Sequence, residues 1–194
     1  IPVAVALGLD PVTAYSASAP LPKHVGELMV AGFLKGSAVQ LVQCKTVDLE
    51  VPANAEIVLE GWVDASDTGM EGPFGDHTGF YTPPEEFPIF RISAMTMRRD
   101  AIYPSIVVGK PPAEDEWLAK ATERIFLPAI RMSVPEIVDY DLPTAGTFHN
   151  CVIVSIRKRY AGQARRVMMA LWGMLAQFSY TKLIVVVDDD IDVR

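Results

Sequence analysis

The feature that most constrains this chain is a change of hydrophobic period at Pro111-Pro112. Before that point, apolar residues recur mostly at every second position. Val39 and Leu41, then Val47, Leu49 and Val51, then Ile57 and Leu59 each face one way within their runs. That is the signature of strands with one buried face. Pro52-Ala53-Asn54 interrupts the pattern, so residues 38–64 are read as two or three antiparallel strands. Residues 87–108 alternate again and predict a hairpin with Arg98-Arg99-Asp100 at its turn. Upstream, residues 1–8 form a β-branched run ending in glycine, a buried strand, and residues 16–22 are small and Pro-rich, a loop. Between them and the strands, Val25, Leu28, Met29, Gly32 and Phe33 fall on one face of a helix over residues 23–36, closed by Gly36.

Beyond the double proline the period becomes helical. Trp117, Leu118, Ala121, Ile125 and Ala129 form one stripe; Pro135 opens a short strand through Val138; residues 143–150 are a linker. Residues 151–156 are a strand, and Ala164, Val167, Met168, Leu171 and Leu175 mark an amphipathic helix. Residues 183–187 are a buried strand ending in Asp188-Asp189-Asp190. This last stretch is a β-α-β unit. The expected fold class is therefore mixed α+β, antiparallel in the first two thirds and α/β at the end. A single β-α-β unit leaves one face of its sheet bare, so the polypeptide is expected to continue past Arg194. It opens on Ile1-Pro2-Val3-Ala4, with neither Met nor a charged n-region, which reads as a chain without a signal peptide that does not start at its natural first residue.

Half of the 194 residues are hydrophobic and the net charge is -7. An acidic balance disfavours nucleic acid and anionic membranes as partners. The basic clusters Arg98-Arg99 and Arg157-Lys158-Arg159 are read as solvated strand ends. Cys44 and Cys151 lie in apolar runs without metal-binding spacing, as expected of free thiols in a reducing cytoplasm. No apolar run approaches the roughly 20 residues needed to span a bilayer.

The chemistry concentrates in residues 66–84, which hold four glycines and three prolines. Within them runs Glu71-Gly72-Pro73-Phe74-Gly75-Asp76-His77-Thr78-Gly79-Phe80-Tyr81. Two carboxylates five apart, separated by Gly72, Pro73 and Gly75, suit a rigid, tightly turned loop that presents both acids to one place. Acids held close in a partly dry site split their pKa values, so that one donates a proton while the other stays ionised. His77 adds a group that titrates near neutrality. The competing reading is a plain acidic turn in which Asp76 bonds local N–H groups.

Met70-Glu71-Gly72-Pro73-Phe74-Gly75-Asp76-His77-Thr78-Gly79 closely resembles the signature of UbiD-type decarboxylases, which use prenylated FMN. The likeness extends to Val47-Asp48-Leu49-Glu50-Val51-Pro52-Ala53-Asn54-Ala55-Glu56-Ile57, to Tyr160-Ala161-Gly162-Gln163-Ala164 and to Asp188-Asp189-Asp190-Ile191-Asp192-Val193-Arg194. The resemblance implies an antiparallel split β-barrel that binds the flavin, followed by an α/β lobe. Residues 1–142 would be the flavin-binding domain, partial at its upstream end, and residues 143–194 the first β-α-β unit of the C-terminal lobe. It also implies a divalent metal, usually Mn2+, and K+ at the cofactor phosphate. The substrate would be an aromatic or α,β-unsaturated carboxylic acid, of hydroxybenzoate type given the Asp76-His77 pair. A flavin prenyltransferase would supply the cofactor, and the enzyme would be a cytoplasmic homo-oligomer, peripheral to the membrane if its substrate is polyprenylated. Glu71 corresponds to the first acid of the family's Glu–Arg–acid network and Asp76 to the second, the proton donor. His77 would line the substrate pocket, and Glu27 matches the cofactor-binding glutamate that ligates the metal. The family's arginine and its Asn and His metal ligands lie upstream of anything matching Ile1, so this chain by itself is expected to be inactive.

Other residues carry plainer readings. His24 and His149 are taken as structural or solvated, the Asp188–Asp192 acids as a solvated strand end, and Trp62, Trp117 and Trp172 as core or interface. Two other functions compete with a decarboxylase: a non-catalytic flavin-binding or assembly module, and a carboxylase subunit of a multi-protein complex.

Overall fold

The computed structural model describes residues 1–174 and 176–194. Among the described residues it is a mixed α+β structure with four α-helices and several small sheets, divided into two compact units.

The first unit comprises Ile1–Phe74 and Tyr81–Ile106. Its main sheet has the order β1-β4-β7, with β1 (Pro2–Leu7), β4 (Ile57–Glu71) and β7 (Glu85–Met97) all antiparallel. A second pair, β2 (Leu41–Gln43) and β3 (Glu50–Pro52), is also antiparallel. The alternation marked strands in part: Leu41, Val51, Ile57 and Leu59 lie on β2, β3 and β4, while Val39, Val47 and Leu49 lie outside them; β4 runs through to Glu71, so residues 66–71 are strand and the loop begins only at Gly72. The expected hairpin over residues 87–108 is absent: β7 ends at Met97 and residues 101–113 have no regular structure. Cys44, Val47, Val51, Ala55 and Val58 form the buried cluster, with Ala4, Ala6, Leu9 and Leu49 packed on it. Glu60 is buried beneath, and its carboxylate accepts from the backbone N–H groups of Lys45 and Thr46 and from Thr46 Oγ1. Those donors, Lys45 N–H foremost, hold its pKa below the ordinary carboxylate range although burial works against them.

Two helices flank this framework. Residues 11–18, read in part as loop, begin helix α1 (Pro11–Ser18), with Pro11 at its first turn and Asp10 as N-cap accepting from Thr13 N–H at 3.1 Å. Asp10 also accepts from Lys35 Nζ at 2.8 Å and Asn54 Nδ2 at 3.2 Å, which ties α1, α2 and the turn after β3 together. Helix α2 (Glu27–Lys35) stops at Gly36 in the left-handed region, as expected. Its predicted apolar face is not a core face, however: Ala31 is its buried residue, while Met29 and Phe33 are exposed. Trp62 is likewise half exposed rather than core.

The second unit comprises Gly75–Phe80 and Val107–Arg194. Its sheet has the order β10-β9-β8. Strand β9 (Cys151–Ile156) is parallel to β10 (Leu183–Asp188) and antiparallel to β8 (Ile137–Asp141). The parallel pair with helix α4 (Gln163–Met174) between its strands is the expected β-α-β unit. Val167 and Leu171 are buried as predicted, and Leu175 lies outside the described residues. Helix α3 (Glu114–Ser133) buries Ala119, Thr122, Glu123, Phe126 and Ile130, a face rotated from the predicted stripe; Trp117 is exposed. The rotation follows from Glu123, a buried acid that receives Leu142 N–H at 2.7 Å and Lys120 Nζ at 2.8 Å. Both cysteines are free thiols, Cys44 buried and Cys151 partly so.

Candidate functional site

The predicted acids are carried by different units: Glu71 by the first, Asp76 and His77 by the second. Glu71 closes β4 and stands directly opposite Glu85 in the register with β7, one residue from the Met70–Glu86 pair. Like charges facing each other across a ladder are unfavourable and favour an incoming cation. Glu71 is exposed and lines a cavity of about 280 Å3 with Gly72, Phe74, Thr82, Pro83 and Glu85. The chain turns away from β4 at Gly72, whose φ of +100° suits glycine alone. Phe74, on the short strand β5 (Phe74–Gly75), donates its N–H to Thr82 Oγ1 at 3.3 Å. Thr82, on β6 (Tyr81–Thr82), returns its hydroxyl to Phe74 O at 3.3 Å.

Asp76 and His77 form a tight pair. Asp76 Oδ1 accepts His77 N–H at 2.7 Å and lies 2.7 Å from His77 Nδ1. Gly79 N–H reaches Asp76 O at 3.0 Å and Asp76 N–H reaches Phe80 O at 3.2 Å, closing a turn in which Gly79 has φ +84°. The left-handed residues are therefore Gly72 and Gly79; Gly75 is not among them. The Asp76 carboxyl is held below the usual range, first by the His77 backbone N–H and then by its ring. With Asp76 ionised, the proton of the contact sits on His77 Nδ1, which leaves Nε2 as the free ring nitrogen.

Sequence reasoning missed the surroundings of that ring. His77 stacks on Phe148 with centroids 5.2 Å apart and meets the edge of His149 at 5.0 Å. Phe148 and His149 pack against each other at 4.7 Å, and Phe148 is buried. Thr147 and Phe148 both have φ +48°, a costly conformation for residues with a Cβ. The turn is pinned by Thr181 Oγ1 donating to His149 O at 2.8 Å and Asn150 Nδ2 donating to Thr147 Oγ1 at 2.7 Å. Among the described residues His149 Nδ1 is buried without a hydrogen-bond partner. Burial first, and the neighbouring His77 second, push the His149 pKa down and keep its ring neutral. Nothing local in residues 143–150 announces this packing, because it depends on a loop some seventy residues away in sequence.

Glu27 is the first residue of α2, just after Gly26, and is exposed. A carboxylate there is favoured by the helix dipole alone. Among the described residues no group of three or more His, Cys, Asp or Glu is arranged to hold a metal ion. The acids after β10 are engaged locally: Asp189 with Arg157 Nε at 3.2 Å, Asp192 with Arg194 N–H at 3.1 Å. Among the described residues no helix is long and apolar enough to cross a membrane.

The family model for the Rift-related domain of 3-octaprenyl-4-hydroxybenzoate carboxy-lyase (UbiD) matches residues 1–111, and that for its C-terminal domain matches residues 116–194. An uncharacterised protein of Archaeoglobus fulgidus is 59% identical over all 194 residues, which make up 40% of its length. An evolved dimeric form of the UbiD-class enzyme HmfF from Pelotomaculum thermopropionicum, in complex with prFMN, superposes with a TM-score of 0.87. It is 33% identical, over 99% of this chain and 44% of that one. The vanillic acid decarboxylase of Sedimentibacter hydroxybenzoicus in its open form gives 0.86 at 29% identity, over 100% of this chain and 41% of that one. The 3,4-dihydroxybenzoic acid decarboxylase AroY of Klebsiella pneumoniae gives 0.81 at 27%, over 99% and 42%. The chain thus spans about two fifths of the length of these relatives, and across both of its units it belongs to the UbiD family.

Proposed function

We propose that this chain is part of an enzyme that removes CO2, reversibly and without net redox change, from an aromatic or α,β-unsaturated carboxylic acid of hydroxybenzoate type, using prenylated FMN. The observation that carries the reading is the Asp76–His77 pair at 2.7 Å, packed against Phe148 and His149. It is an acid and an imidazole in hydrogen-bond contact, in a partly buried setting lined by aromatic rings, as proton transfer to a ring carbon requires. The names of the structural neighbours, vanillic acid and 3,4-dihydroxybenzoic acid decarboxylases, support the substrate class.

In this reading Asp76 and His77 hold and deliver the proton that replaces the departing carboxylate. Asp76 fixes the ring and its tautomer, Phe148 holds the ring plane and keeps water from it, and His77 also faces the substrate. Proton donation from Asp76 itself requires that its carboxylate first take up a proton, which the His77 contacts at Oδ1 oppose. Glu71, opposed by Glu85, awaits a cationic partner, which suits a Glu–Arg–acid network completed by an arginine from outside this chain.

The residues present fit only part of the cofactor and metal sites. The cavity beside Glu71, about 280 Å3, falls below the ~300–1,000 Å3 usual for small-molecule pockets. Glu27 is a single carboxylate, whereas a hard divalent cation takes about six donors. Prenylated FMN, when bound, supplies an electron sink. The split barrel around it, K+ beside the metal, and the division at residue 142 belong to this proposal.

The test is to make the full-length protein together with a flavin prenyltransferase, record its visible absorbance and metal content, and assay CO2 release from hydroxybenzoates and other unsaturated acids. Bound modified flavin with CO2 release is expected. Bound flavin with no turnover of any acid would point instead to a flavin-binding module.

A further inference from the structure

A second charged site lies in the second unit: a cavity of about 220 Å3 whose lining includes Arg131, Glu136, Val138, Arg157, Arg159 and Gln163. Four segments bring these residues together. Arg131 comes from the last turn of α3, Glu136 from just before β8 and Val138 from within it, Arg157 and Arg159 from the segment between β9 and α4, and Gln163 from the first turn of α4. Strand β8 bulges here, since Ile137 opposes Ile156 while Asp139 opposes Ser155 and Val138 has no partner between them. Bulges concentrate beside binding sites because they re-aim the strand.

The charges do not balance. The Glu136 carboxylate, nearly fully buried, is neutralised by Arg166, and Arg157 is paired with Asp189. Among the described residues the side chains of Arg131 and Arg159 have no hydrogen bond or ion pair; Arg159 engages only its backbone N–H, given to Gln163 Oε1 at 2.6 Å. Two unneutralised guanidinium groups therefore border one small cavity in a chain of net charge -7. Uncompensated like charges repel, and a shared anion turns that repulsion into attraction. Guanidinium forks match the paired oxygens of phosphate and carboxylate groups. The cavity is smaller than a nucleotide pocket and large enough for a phosphate with a short substituent.

We propose that this cavity binds a compact oxoanion, inorganic phosphate or the phosphate of a small monoester, through Arg131 and Arg159. The site does not depend on the decarboxylase reading. The cluster Arg157-Lys158-Arg159 does follow the end of β9, but a solvated strand end leaves out Arg131, which arrives from α3 and makes the cluster part of a cavity.

Calorimetric titration of the full chain at low ionic strength tests it, with inorganic phosphate and with methyl phosphate as separate probes. Saturable one-to-one binding is expected, weakened at least ~10-fold by Arg131→Gln/Arg159→Gln and unchanged by Arg99→Gln, an arginine of the other unit. Tighter binding of methyl phosphate identifies a monoester; equal or weaker binding identifies the free ion. As a second readout, about 10 mM phosphate should raise the thermal midpoint of the parent and not of the double variant. Binding that does not saturate, or that the double variant retains in full, means an adventitious ion only and overturns the proposal.

Discussion

Gly61→Ala offers a demanding test of how the first unit is built. Gly61 lies on β4 where the register against β7 shifts, opposite Ile92. A Cβ at this position would stand 2.0 Å from Arg91 O, 2.9 Å from Arg91 C and 2.9 Å from Phe90 Cε2. The nearest atom is backbone in a neighbouring strand, so no rotamer change relieves the overlap; the strands must part by about 1 Å. Overpacking costs ~1–3 kcal/mol, and each ladder hydrogen bond weakened on either side adds ~0.5–1.5 kcal/mol. The lower entropy of unfolded alanine returns ~0.5–1 kcal/mol. The net expectation is a loss of about 3 kcal/mol, or roughly 6–12 °C in Tm for a chain of this size. Gly69→Ala, on the same strand pair, is the control. Its Cβ meets Ile89 Cδ1 at 3.2 Å, the end of a flexible side chain, and should cost less than about 0.5 kcal/mol. Urea unfolding of both variants reads the difference directly. If Gly61→Ala unfolds within about 0.5 kcal/mol of the parent, the close approach of β4 and β7 at this residue is wrong.

Three further perturbations bear on the second unit and on Glu27. Phe148→Ala removes a buried ring stacked on His77; it should lower stability by ~3–5 kcal/mol and slow turnover with little change in flavin content, and unaltered turnover would deny the ring a positioning role. Asp139 is held below the ordinary carboxylate range: burial opposes its ionisation, but Arg124 at 2.7 Å and Arg194 at 2.7 Å outweigh it. Because the folded pKa is depressed, this contribution is present above the unfolded value of about 3.9 and fades as pH falls through the folded one. Asp139→Asn should therefore lower Tm at pH 7 and flatten its decline in acid, and parallel Tm–pH curves for parent and variant would count against the linkage. Glu27→Gln keeps shape but removes an anionic oxygen, so manganese content of the intact enzyme should fall; unchanged content would remove Glu27 from the metal site.

How much of this was legible in the sequence depended on whether the signal was local. Gly36 ended α2 where expected, and the alternation over residues 57–59 marked β4. Asp10-Pro11 carried the N-cap and first-turn signals of α1, but its residues show no amphipathic stripe, so periodicity passed over it. Alternation after Arg99 predicted a strand that the fold does not pair, because an extended segment becomes a strand only with a partner. On α3 the helix was evident and its buried face was not, since hydropathy cannot foresee a buried Glu123 satisfied by Lys120 and Leu142 N–H. The Asp76–His77 contact joins adjacent residues and could be read directly. The Phe148–His149 wall and the Arg131 contribution come from distant segments and could not.

The central claim, that Asp76 and His77 deliver the proton to the product carbon, is tested most directly by Asp76→Asn in the full-length, flavin-loaded enzyme assayed in D2O. The asparagine keeps the size of Asp76 but can neither carry the transferable proton nor hold His77 Nδ1–H as a carboxylate does. Decarboxylation should fall ~10²-fold or more with the flavin spectrum retained, and deuterium incorporation at the product carbon should fall with it. Parent-rate decarboxylation with normal labelling would make Asp76 a structural turn residue and contradict the account.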